Sequence, residues 1–202
     1  MPVYWRILLS GLVVAGQAAA QDIQRIEDEK AGKFAALFAQ ASGSLTDLPV
    51  RVEADLKHAR GVMAKGRGAL VVPDRRLSVE TLKAVDKAIL PVGVLYLRLV
   101  TPVVAGQTVA PDQHRVIEVN DGNNTVAVAV LPLAAARLAD RLVLLVYTGA
   151  KSPPIVTSLV ETDAQSDWPL EIEARPAAED RADLILTFLG RYRASIQVAG
   201  QN

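Results

Sequence analysis

The chain has 202 residues, half of them hydrophobic, and its 22 basic side chains balance its 22 acidic ones. It contains no cysteine, which excludes a disulfide-stapled scaffold, an iron–sulfur protein, a thiol enzyme and a cysteine-ligated zinc domain. The neutral total excludes a strongly basic nucleic-acid-binding protein, and the apolar content is enough to bury the core of one ordinary domain.

The first twenty residues have the three parts of a secretory signal peptide. Arg6 supplies a positive charge, residues 7–15 form a short apolar stretch, and residues 18–20 are all alanine. We therefore predict cleavage before Gln21, which leaves a mature chain without a transmembrane span. An exported protein that lacks cysteine is typical of a bacterial periplasm, so the predicted location is the periplasm.

Residues 21–91 show the apolar periodicity of helices. Asp22 can cap a first helix that ends near Ala41. A second helix is predicted over residues 49–65, from a stripe at helical spacing made by Val52, Leu56, Ala59 and Met63, with Gly66 as its C-cap. Ser78 can cap a third helix, which Pro91 ends.

From Val92 onward the apolar residues alternate with a period of two, which predicts short strands. The eight predicted strands cover residues 92–100, 114–120, 124–131, 142–148, 155–161, 169–175, 184–189 and 192–199. The sequence Asn120-Asp121-Gly122-Asn123 predicts a hairpin, and Gly190 predicts a bend or bulge.

These patterns predict an α+β fold. An N-terminal layer of about three helices, residues 21–91, would pack on an antiparallel β-sandwich of about eight strands, residues 92–202, as one structural unit. Strands 92–100 and 142–148 are apolar on both faces and must be covered twice. We expect the helices to cover the second face with side chains that include Val52, Leu56, Met63, Leu82, Val85 and Ile89.

Catalytic motifs are weak in this sequence. Residues 61–68 have the glycine spacing of a phosphate-binding loop, but Arg67 and Gly68 stand where the motif requires lysine and serine or threonine. The two histidines, His58 and His114, lack the spacing of a zinc site. His114 remains the candidate for a serine–histidine–acid arrangement, because such triads assemble in space, although no serine lies in a G-x-S-x-G motif.

Glu161, Asp163 and Asp167 crowd one predicted loop and are the calcium candidates. The spacing of a calcium-binding loop is absent, so solvated loop charge is the favoured interpretation. No metal or other cofactor is predicted.

The charges are distributed unevenly despite the neutral total. Residues 51–90 carry nine basic and five acidic side chains, and Arg75 and Arg76 form their densest basic spot. Solvated surface charge is the ordinary explanation of this excess, and the alternative is that it binds an anionic component of the cell envelope. Trp168 is a further binding candidate or a strand-end packing residue.

Three functions follow from these observations. The first is a non-catalytic periplasmic or secreted module that binds another envelope component, either a protein or an anionic component. The second is a carrier that holds a lipid-like apolar ligand between the helices and the sheet. The third is a hydrolase that uses His114. No nucleic-acid partner is expected.

Overall fold

The computed structural model describes residues 23–86, 88–120, 124–149, 152–177 and 180–201. The fold is rich in antiparallel β-structure, and the described residues form fourteen strands: β1 (Gln24–Arg25), β2 (Arg60–Ala64), β3 (Arg67–Pro73), β4 (Leu90–Arg98), β5 (Val100–Val104), β6 (Gln107–Thr108), β7 (Val116–Asn120), β8 (Thr125–Leu138), β9 (Arg141–Val146), β10 (Ile155–Ser158), β11 (Val160–Glu161), β12 (Leu170–Pro176), β13 (Arg181–Phe188) and β14 (Tyr192–Gly200). Two α-helices accompany them, α1 (Asp28–Ser42) and α2 (Val79–Lys83). The predicted signal peptide, residues 1–20, lies outside these ranges.

The strands form two sheets. The larger sheet has eight strands in the order β1-β2-β3-β4-β8-β9-β10, with β7 also paired to β8. The smaller sheet has six strands in the order β12-β13-β14-β5-β6, with β11 also paired to β14. Each predicted strand segment contains a strand, and β7 and β8 pair as the predicted hairpin. Its turn residues 121–123 are outside the described ranges.

The chain crosses from one sheet to the other along nearly continuous strands. β4 belongs to the larger sheet and β5 to the smaller one, and Leu99 between them has a φ of 55°. This left-handed conformation is unusual for a leucine and turns the strand sharply. A second crossing joins β10 to β11 through Leu159, which is buried between the sheets.

The main core lies between the two sheets, where alternate side chains of β4, β8, β13 and β14 meet. The opposite face of β4 carries Val94 and Tyr96, and it packs against α1. The prediction that this strand is covered on both faces is therefore confirmed. In α1 the small residues Ala31 and Ala35 are fully buried, which lets the helix approach the sheet closely.

The predicted second helix, residues 49–65, is wrong. Residues 60–64 are instead strand β2, which pairs with β3 in a hairpin. Lys65 and Gly66 connect the two strands, and both have positive φ values, 48° and 81°. Two consecutive residues with positive φ make the tight turn that suits a twisted hairpin. Gly66 thus turns a hairpin rather than ending a helix.

The third predicted helix is confirmed at its start and is shorter than expected. Ser78 caps α2, and its hydroxyl and that of Thr81 form a reciprocal capping box. The helix ends at Lys83. Leu82 and Val85 lie in the core between the sheets rather than on the outer face, and Ile89 is exposed. The helical layer is therefore mainly α1. Within the described ranges, no helix is long and apolar enough to cross a membrane.

Candidate ligand-binding site

A small apolar pocket lies between α1 and the outer face of the larger sheet. Its volume is about 90 Å³, and it is open to solvent at one side. We call it the helix pocket. Side chains from α1 and from five strands line it, together with neighbouring backbone: Ile26, Phe34, Leu37, Phe38, Met63, Gly66, Arg67, Gly68, Ala69, Leu70, Tyr96, Arg98, Val119, Val126 and Val128.

The sequence places these side chains on one face by simple alternation. Leu70 in β3 pairs with Tyr96 in β4, so both project toward α1, and Val128 in β8 lies on the same face. Gly68 pairs with Arg98, two residues further along the two strands and on the same face. Because glycine has no side chain, this position leaves space beneath the helix that a larger residue would fill.

The charged residues among the described lining are Arg67 and Arg98. The Nε atom of Arg98 is buried and has no hydrogen-bond partner. The Nη1 atom of Arg67 lies 3.3 Å from the Oδ1 atom of the exposed Asp180. The guanidinium of Arg67 packs against Gly200 of the smaller sheet, so the pocket is apolar inside and the charge that faces it among the described residues is that of Arg98.

Tyr96 divides the space beneath α1. Its ring packs against Phe38 with a centroid distance of 5.2 Å, and its hydroxyl lies 3.5 Å from the Ser42 hydroxyl. Burial raises the pKa of Tyr96 above its ordinary value, so the hydroxyl is neutral at physiological pH. Beyond Tyr96, a wider groove of about 460 Å³ lies between the end of α1, residues 43–54 and the same sheet face.

The predicted binding residues Arg75 and Arg76 hold two segments of the chain together. Arg76 donates to the buried carboxylate of Asp74 from Nε and Nη2, each at 2.9 Å, and Arg75 donates to the carbonyl of Ala54. Burial alone would raise the pKa of Asp74, but hydrogen bonds from Arg76 and from the Glu53 backbone hold that pKa below its ordinary value. Both arginines are thus engaged within the chain.

Trp168, the third predicted binding residue, packs on a buried arginine. The guanidinium carbon of Arg60 lies 3.0 Å from the centroid of the Trp168 ring, in a cation–π arrangement. Arg60 is only 2% exposed, and its Nη1 atom lies 2.8 Å from Asp28 at the start of α1. His58 contacts the edge of the same ring. These contacts fit the packing interpretation of Trp168.

His114 bonds to a threonine hydroxyl. Its Nε2 atom lies 2.8 Å from Oγ1 of Thr101, and that hydroxyl donates its proton to the carbonyl of Val109. The imidazole must therefore donate to the hydroxyl, whereas a catalytic base would accept a proton from it. The Nδ1 atom, which an acid would orient in a triad, is buried without a partner. These hydrogen bonds tie His114 and Thr101 to the loop at Val109, and in them the imidazole does not accept the proton of the Thr101 hydroxyl.

The calcium candidates Glu161, Asp163 and Asp167 lie along a shallow depression beside the turn of β13 and β14. Within the described part of the chain, no group of three or more acidic, histidine or cysteine side chains has the arrangement of a metal site.

No protein-family model matches the chain, and no curated protein or solved structure shows significant similarity to it. The geometry of the helix pocket is therefore the basis of the function proposed below. The sequence predicted the helix that covers this pocket but gave no role to Arg98. Arg98 carried a signal, since it is the first charge after the apolar run at residues 92–97.

Proposed function

We propose that this protein is a non-catalytic carrier of the cell envelope, which holds an apolar ligand between α1 and the larger sheet. The observation that supports this proposal is the helix pocket, an apolar space whose described lining has no acidic side chain. Such pockets, mostly apolar with a few polar groups at defined positions, are the usual form of small-molecule sites.

The size of the helix pocket limits the ligand. A closed apolar cavity of about 150 Å³ holds a benzene molecule, so a volume of about 90 Å³ suits the end of one alkyl chain. The remaining part of the ligand would lie in the open side of the pocket. A chain that displaced the Tyr96 ring would also reach the wider groove beyond it.

The attachment of α1 supports access to the pocket. The helix touches the sheet mainly through apolar side chains, and its polar contacts lie near its two ends, at Asp28 with Arg60 and at Ser42 with Tyr96. Apolar contacts are not directional, so a ligand can replace them as the helix moves outward.

The envelope location is part of this proposal and depends on the signal peptide at residues 1–20. A docking module that uses Arg75, Arg76 and Trp168 is less well supported, because these side chains already contact other parts of the chain. A hydrolase that uses His114 lacks support from the hydrogen bonds around that residue.

The proposal is tested with N-phenyl-1-naphthylamine, an uncharged fluorophore whose emission increases in apolar sites. This probe is larger than the closed pocket, so its binding requires α1 to move outward as proposed above. We expect saturable binding at one site per chain, and native mass spectrometry of protein isolated from its own envelope should show a co-purifying ligand. Delipidated protein that binds no fluorophore at micromolar concentration would overturn the carrier proposal.

A further inference from the structure

We infer that the ligand of the helix pocket is a fatty acid, whose carboxylate pairs with Arg98 while its alkyl chain lies beneath α1. This inference rests on the proposed carrier function and adds the chemical class and the orientation of the ligand.

The position of Arg98 suits the head group of a ligand in the helix pocket. It is the last residue of β4 and lies two positions after Tyr96, so the two side chains project from the same face of the sheet. Tyr96 is buried against Phe38 inside the pocket, whereas Arg98 is partly exposed. A single-chain ligand that lies along this strand places its apolar part near Tyr96 and its head group near Arg98.

The charge of Arg98 suits an anionic head group. Several arginines of the described chain pair with carboxylates, as Arg60 does with Asp28 and Arg76 with Asp74, whereas Arg193, like Arg98, has a buried Nε atom without an acceptor. Of these two arginines, Arg98 is the one that lines the helix pocket. Within the described residues, no carboxylate lies within ion-pair distance of Arg98, and its Nε atom is buried without an acceptor. A buried donor without an acceptor is costly, and a ligand oxygen can remove that cost once the side chain turns toward it.

The number of unpaired positive charges favours a carboxylate over other anionic head groups. Of the two arginines in the lining, Arg67 already contacts Asp180. One positive charge, that of Arg98, is therefore left to neutralise. A single charge matches a carboxylate monoanion, and the planar guanidinium binds a carboxylate through two parallel hydrogen bonds. A phosphate monoester would bring up to two negative charges to the same site.

The experiment compares ligands that share one chain length. Dodecanoate, dodecanol and dodecyl phosphate, each below its micellar concentration, compete with bound N-phenyl-1-naphthylamine at pH 8. We expect dodecanoate to displace the fluorophore at a concentration at least tenfold lower than dodecanol. Arg98→Met, which keeps the apolar stem and removes the charge, should reduce that preference to about twofold or less.

Two further variants make the result specific. Arg175→Met removes an arginine from the outer face of the smaller sheet and should preserve the preference for dodecanoate. Arg98→Lys retains the positive charge but not the planar guanidinium, so it should preserve part of the preference for dodecanoate. If Arg98→Met does not fold, Arg98→Lys decides the question. A preference for dodecanoate over dodecanol that is as large in Arg98→Lys as in the wild type would contradict recognition by the arginine guanidinium.

The possible failures are separable. Wild-type protein that binds the fluorophore but prefers dodecanol overturns the fatty-acid inference and leaves the carrier proposal standing. Dodecyl phosphate that binds more than tenfold tighter than dodecanoate assigns the site to a phosphate ligand and also overturns it. A preference for dodecanoate that Arg98→Met leaves unchanged overturns the role of Arg98. Absence of fluorophore binding refutes the carrier proposal itself.

Discussion

Filling the helix pocket should stabilise the protein and abolish ligand binding at the same time. Val126 lies in β8 at the partly exposed side of the pocket, which has a volume of about 90 Å³. A phenylalanine at this position, Val126→Phe, can turn its ring into that space. In an ordinary packed core, the same enlargement would be destabilising.

The expected magnitude follows from the volume. Replacing valine by phenylalanine adds about 50 Å³, and cavities cost about 24 cal/mol per Å³, so the filled pocket should gain about 1 kcal/mol of unfolding free energy. For a chain of this length, that gain corresponds to an increase of about 2–4 °C in melting temperature. The affinity for N-phenyl-1-naphthylamine should fall at least tenfold, because the fluorophore and the new ring need the same space.

Val85→Phe is the matched control, since it makes the same replacement in the core between the two sheets. Val85 is 5% exposed and lies among tightly packed side chains. Overpacking there should cost about 1–3 kcal/mol and leave fluorophore affinity unchanged in the folded fraction.

Urea unfolding followed by circular dichroism gives both free energies, and fluorescence titration gives both affinities. The reasoning fails if Val126→Phe destabilises the protein as much as Val85→Phe does. It also fails if Val126→Phe binds the fluorophore as tightly as the wild type, because the ligand would then lie elsewhere.

Four further predictions concern the fold and its processing. Asp74→Ala should lower the unfolding free energy by about 1–3 kcal/mol in urea, because it leaves the part-buried backbone donors of Glu53 and Arg76 without an acceptor. The folded pKa of Asp74 is low, so its contribution is present above the unfolded pKa near about 4 and is lost as the pH falls through the folded value. Burial lowers the pKa of His114, so wild-type stability should decrease as the pH falls below about 6.5, and His114→Gln should flatten that part of the profile. Trp168→Ala should cost about 2–3 kcal/mol by uncovering the buried Arg60, as thermal and urea unfolding would show. Mass analysis of the periplasmic fraction should find a chain that begins at Gln21.

Each of these predictions has a contradicting result. Unchanged stability of Asp74→Ala would mean that this carboxylate does not hold its two segments together. Identical pH profiles of stability for the wild type and His114→Gln would contradict the role given to the buried imidazole. A Trp168→Ala variant as stable as the wild type would show that packing does not require the Trp168 ring, which would favour a binding role for it. Membrane-bound protein that retains Met1 would contradict cleavage.

The strands of the second half were predictable because their environment is repetitive. A strand with one solvent-exposed face, such as β12, alternates apolar and charged residues: Leu170, Glu171, Ile172 and Glu173. The β2–β3 hairpin was missed because Val52, Leu56, Ala59 and Met63 coincide with helical spacing. The pairing of β2 with β3, and of β3 with β4, overrode that local pattern.

The candidate site was less predictable than the fold. Arg75 and Arg76 attracted attention as adjacent charges. One acceptor, Asp74, stands beside them in the sequence, but the others, the backbone carbonyls of Arg51 and Ala54, become neighbours only through folding. Arg98 is a single charge at a strand end, and its significance depends on which carboxylates lie near it. Distances of this kind are tertiary properties that one sequence does not reveal.

The pairing of β5 with β14 affects the timing of folding during synthesis. Pro102 pairs with Val198, so these partners are about a hundred residues apart in the chain. β14 also joins β13 to β5, which means that the smaller sheet cannot be completed until the last strand has left the ribosome. Contacts of such long range form slowly. The strands of the larger sheet, which end at Ser158, can therefore pair while the smaller sheet is still incomplete, so the two layers of the core form at different times.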